Sequence, residues 1–105
     1  MDLLRVAAST PAPKLAGAVS AQLRDHRCVE LQMIGAGAIS QCIKALAIAR
    51  GHLAPSGFDL AAVPSFVDFC DASTQGEEHT AIKLTVNLTR RVGTGPLVID
   101  EPVAP

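Results

Sequence analysis

The sequence predicts a two-layer α/β domain with element order β-α-β-α-β-β, a mixed four-stranded sheet and two helices on one face. Three observations carry that expectation. The hydrophobic period alternates along the chain between two and about 3.6, so strands and helices take turns. The stretch IGAGAISQCIKALAIARG at 34–51 joins a short apolar strand to a long apolar helix through Gly35 and Gly37, whose freedom to adopt positive φ permits a sharp turn. The strands each keep one polar face, so the helices cover a single side of the sheet and leave the other to water or a partner.

The elements follow in order. Leu4, Val6 and Ala8 alternate with Arg5 and Ala7 as a half-buried first strand, which stops at the stiff Ser9-Thr10-Pro11-Ala12-Pro13 connection. Over 14–27, Leu15, Val19 and Leu23 recur four apart on one face of an amphipathic helix, with Gln22, Arg24 and Asp25 turned away. Val29, Leu31 and Met33 then alternate with Glu30 and Gln32 in a second strand.

In the second helix Ile39, Ile43, Leu46 and Ala47 are expected to form the core stripe, beside a strip of small side chains at Ala38, Cys42, Ala45 and Ala49. Ile48 lies opposite that stripe. It reads either as a single exposed aliphatic or, with Cys42, Ala45 and Ala49, as part of an interface with a second subunit. Gly51 is expected to cap the helix before a turn-rich loop at 52–57.

Residues 60–69 read as a third strand that Pro64 confines to an edge or a bulge. The polar stretch 71–78 reads as a hairpin loop. The alternation over 81–89, with Ile82, Leu84, Val86 and Leu88 on one face, gives the fourth strand. Residues 1–91 then make one domain, and 92–105 form a Gly/Pro-containing tail. Its Leu97, Val98 and Ile99 would dock a protein partner or cover the molecule's own sheet edge.

With 105 residues, 49% of them apolar and only three aromatic, the chain can build one aliphatic core and no second. A net charge of -1 gives no overall attraction to nucleic acid or anionic membrane, so such binding needs a local basic patch. The N-terminus lacks the layout of a signal peptide, and no apolar run reaches the roughly 20 residues that span a bilayer. Cys28, Cys42 and Cys70 are too few and too scattered for a disulfide framework or a zinc site, which makes a reducing cytoplasm the expected location.

IGAGAISQCIKALAIARG, with LAPSGFDL, PSFVD and GEEHTAIKL after it, resembles the stage V sporulation protein S family over roughly residues 3–88. These are small bacterial proteins with an Alba-like fold. A more distant likeness to Alba proteins lies in GAISQCIKALAIAR. What the resemblance implies is a regulatory protein of sporulation or development that binds DNA or RNA. The chain departs from the Alba pattern in charge. Only Lys14 falls in the first loop, Gly37 stands where Alba proteins carry arginine, and Asp68, Asp71, Glu77 and Glu78 surround the hairpin, where phosphate would be repelled.

Chemistry of other kinds finds little support in the residues. The lone G-x-G at 35–37 reads as a tight turn and not as a phosphate cradle. His26, His52 and His79 share no ligand spacing, and Ser40 and Ser56 have no activating base in view, so neither a metal, a cofactor nor catalysis is expected. Cys42 reads as a core thiol. Two readings of function follow. In one, a homodimer or higher oligomer gathers Lys14, Lys44, Arg50 and Lys83 into a nucleic-acid-binding face. In the other, an oligomeric adaptor recruits a protein through its open sheet face, acidic hairpin or tail.

Overall fold

A computed structural model describes residues 3–67 and 81–90. Strand β1 (Leu3–Val6), helix α1 (Ala12–His26), β2 (Cys28–Ile34), α2 (Ala36–Leu53), β3 (Phe58–Phe66) and β4 (Ala81–Arg90) form the predicted order, with a short 3-10 turn at Ala54–Ser56. The sheet runs β1-β2-β4-β3. β1 lies parallel to β2, while β4 is antiparallel to both β2 and β3. β3 is therefore an edge strand, where Pro64 removes no ladder hydrogen bond that the sheet interior needs.

One face of the sheet is dry. Val29, Leu31 and Met33 on β2 are buried with Leu84 and Val86 on β4 and Val6 on β1. They pack on Leu15, Ala16, Val19 and Leu23 of α1 and on the buried side of α2 in a single core. The intervening Glu30, Gln32, Lys83 and Thr85 leave the opposite face polar and only partly covered. Period-two alternation thus places both helices on one side.

The helices run side by side in the same direction, because each returns the chain between strands that run the same way, and hydrogen bonds tie their ends together. Gln41 Nε2 donates to Thr10 O at 2.7 Å near the start of α1, and Arg24 Nη2 donates to His52 O at 2.8 Å near the end of both helices. The molecule so acquires two ends. One holds the helix N-termini with the last residues of β1 and β2. The other holds the helix C-termini with the start of β3 and the last residues of β4.

Three local expectations change. The core face of α2 is Ala38, Cys42, Ala45, Leu46, Ala49 and Leu53, while Ile43 is 54% exposed, Ala47 is exposed and Ile39 is only half-buried. Small side chains win because α1 packs directly against them and a bulkier stripe would hold the helices apart. Helix α2 also continues through Gly51 to Leu53, and Gly57 takes the left-handed turn at φ 83.

The third concerns the glycine turn. Of its two glycines, Gly35 adopts positive φ, at 89, whereas Gly37 sits inside the first turn of α2. A Cβ on Gly37 would lie 2.8 Å from the Ala8 Cβ, closer than such atoms approach. Ala8 belongs to a loop pinned by Thr10 N–H donating to Ala7 O and Ala7 N–H donating to Thr10 Oγ1. Gly37→Ala is therefore expected to destabilise by about 1–3 kcal/mol, overpacking outweighing the ~1 kcal/mol gain in helix propensity. Urea unfolding checks this, and unchanged or increased stability would refute the contact.

Arg27 is the one described non-glycine residue with positive φ, at 67, and it closes α1 by donating its N–H to Leu23 O. An L-residue there costs about 1–2 kcal/mol relative to glycine. Segments 68–80 and 91–105 lie outside the described residues, and with them the predicted hairpin loop and the Leu97, Val98 and Ile99 docking trio.

Candidate functional site

The four cations proposed from sequence do not converge. Lys14 is exposed in the first turn of α1 and Lys44 is exposed midway along α2, neither with a partner among the described residues. Arg50, near the far end of α2, is committed to Asp59, with Nε–Oδ1 at 2.8 Å and Nη2–Oδ2 at 3.1 Å. That two-pronged carboxylate contact raises the Arg50 pKa further above its ordinary value. Lys83 projects from the sheet face opposite the helices and lies 4.0 Å from Glu30, a surface pair of little strength. Alternation along β4 decides this separation, since Lys83 falls between Ile82 and Leu84.

The residues expected at a subunit contact lie mostly inside the chain. Cys42, Ala45 and Ala49 are fully buried within the chain, and Ile48 is half-buried against the same core. A side chain already enclosed by α1 and the sheet has no surface to offer a second copy. The exposed large apolar residues are Leu3, Ile34, Ile43, Val63 and Phe66, with Val63 60% and Phe66 79% accessible on edge strand β3.

Burial pushes the Cys42 thiol up to about 11. The thiol is thus neutral and unreactive at physiological pH. Because the folded pKa exceeds the unfolded one, the stabilisation is complete below about pH 9 and is lost as pH rises through 11, by up to ~2–3 kcal/mol. Wild-type stability is expected to fall over that window and Cys42→Ala stability to fall less. Denaturation at graded pH checks this, and parallel curves would refute it.

Sequence reasoning missed a gathering of arginines at the end where both helices finish. Arg24 and Arg27, from the end of α1, line a groove of about 300 Å³ with Ser56, Phe58 and Leu88. Arg90 is the register partner of Phe58 on β4. No spacing signals this cluster, since its members come from four elements. A larger groove of about 460 Å³ at the opposite end, lined by Arg5, Val6, Ala7, Ala8, Gln32 and Ile34, holds one cation. Among the described residues no group of three His, Cys, Asp or Glu could hold a metal ion. No described helix is long and apolar enough to cross a membrane.

Comparison with solved structures finds similarity to Alba from Thermoplasma volcanium, at 15% identity and a TM-score of 0.49, over 84% of this chain and 99% of that one. The family model for stage V sporulation protein S matches residues 2–89. That match spans every described element but the last residue of β4, so the chain belongs to the stage V sporulation protein S family.

Proposed function

We propose that this protein is a non-enzymatic regulator, acting in sporulation or development, that binds nucleic acid as a homo-oligomer. One observation carries the reading. Lys14 on α1 and Lys44 on α2 are exposed, and neither has a carboxylate partner among the described residues. An exposed lysine without a paired carboxylate attracts phosphate locally.

Lys14 and Lys44, exposed and unpaired among the described residues, are the first contacts to expect on this reading. Arg50 and Lys83 would contribute less, each facing a carboxylate. Fluorescence anisotropy against duplex DNA, single-stranded DNA and RNA at several salt concentrations tests the proposal. Binding should weaken with a log–log salt slope of about -0.9 per duplex phosphate neutralised, and Lys14→Ala and Lys44→Ala should each reduce that slope by ~1. No binding at low salt would overturn it. A second reading, a protein adaptor, draws support from edge strand β3, which exposes Val63 on one face of the sheet and Phe66 on the other.

A further inference from the structure

The groove at the helix C-terminal end combines features that a solvated surface does not need. Arg24 spends one of its five guanidinium donors on His52 O and keeps the rest. The Arg27 side chain has no partner among the described residues, although its backbone is held firmly, with the carbonyl accepting from Leu88 N–H at 2.8 Å. Ser56 is exposed with an uncommitted hydroxyl, and Phe58 and Leu88 are half-buried, leaving apolar surface open in the groove. Arg90 follows Leu88 on the same side of β4 and borders Phe58, which puts a third guanidinium at the rim.

Helix dipoles account for only part of this. Cations near a helix C-terminus are favoured by the negative end of the dipole, which suffices for Arg24. Arg90 belongs to a strand, and Arg27 occupies a left-handed position where glycine is cheaper. Backbone strain retained beneath a free guanidinium points to use of the side chain. The same dipoles would oppose an anion, but three carbonyls at this end already accept hydrogen bonds: Leu23 O from Arg27 N–H, Arg27 O from Leu88 N–H and His52 O from Arg24. Asp25 and Asp59 each adjoin a groove residue in sequence, but neither lines the groove, and Asp59 is bonded to Arg50.

We propose that this groove binds a phosphomonoester carried on a planar base, the chemistry shared by a free nucleoside monophosphate and the phosphorylated end of a single strand. Arg24 and Arg27 grip the phosphate as a fork of charged donors, Ser56 adds a hydroxyl, and Phe58 stacks on the base with Leu88 beneath. The groove volume is at the lower end of the range for small-ligand sites, which suits one nucleotide. This site stands apart from Lys14 and Lys44, which lie on exposed positions away from it.

Isothermal titration calorimetry of the full chain with AMP, GMP, adenosine and inorganic phosphate, and with a short oligonucleotide bearing either a 5′-phosphate or a 5′-hydroxyl, tests the proposal. Binding of AMP or GMP, or of the phosphorylated oligonucleotide alone, supports it and identifies the source. Arg27→Gly should weaken that binding roughly tenfold or more while raising the melting temperature, so loss of fold cannot explain the loss of ligand. Phe58→Leu should weaken binding of AMP more than of inorganic phosphate. The proposal fails if no phosphorylated probe binds at millimolar concentration, if adenosine binds as tightly as AMP, or if Arg27→Gly binds like wild type. Lys14→Ala should leave nucleotide binding unchanged, which separates this site from the nucleic-acid reading.

Discussion

Ala45→Glu is expected to lower the melting temperature by roughly 15 °C or more, whereas Ile43→Glu, two residues earlier on the same helix, is expected to leave it nearly unchanged. Ala45 is fully enclosed by the core and Ile43 is 54% exposed. A glutamate at 45 must either keep an unpaired charge away from water or bind a proton, and it must also displace packed neighbours. The combined cost is about 4 kcal/mol or more, against a total stability of roughly 5–15 kcal/mol for a domain of ordinary size. Circular dichroism melting distinguishes the two variants. An Ala45→Glu protein that melts like the wild type and has a reduced oligomeric mass would restore the small-residue strip as a subunit contact.

Leu31→Ala is expected to cost about 2–5 kcal/mol and to lower the melting temperature by roughly 10 °C or more. Leu31 lies on β2, flanked in register by Leu4 of β1 and Leu84 of β4. It is fully buried, and its neighbours on both sides are fixed by ladder hydrogen bonds, so the space left by truncation closes poorly. Ile34→Ala on the same strand provides the comparison. Ile34 is 45% exposed at the strand end, and its loss should cost under about 1 kcal/mol. Equal effects at the two positions would contradict the assignment of the buried face.

The order of elements was legible in the residues because period-two and period-3.6 patterns are local. Val29, Leu31 and Met33 against Glu30 and Gln32 suffice to define a strand and its inner face, while Pro64 narrows its strand to an edge or a bulge and the sheet order makes it an edge. Helix α2 was harder to orient. Ile39, Ile43 and Leu46 compete with Ala38, Cys42 and Ala45 for the core, and with apolar residues nearly all round the helix the pattern does not choose. The choice belongs to α1, whose close approach favours the smaller side chains.

The basic residues show the same division. Composition places Lys14, Lys44, Arg50 and Lys83 on the surface, but alternation along β4 turns Lys83 to the far face and Asp59 captures Arg50. Arg24, Arg27, Phe58 and Arg90 come together only because α1, β3 and β4 meet at one end of the molecule. By itself the sequence determined which segments are helix or strand, which strand faces are apolar and which family the chain resembles. The tertiary structure decided which face of α2 is buried, why Gly37 must lack a side chain and which cations share a groove, because each depends on contacts between residues far apart in the chain.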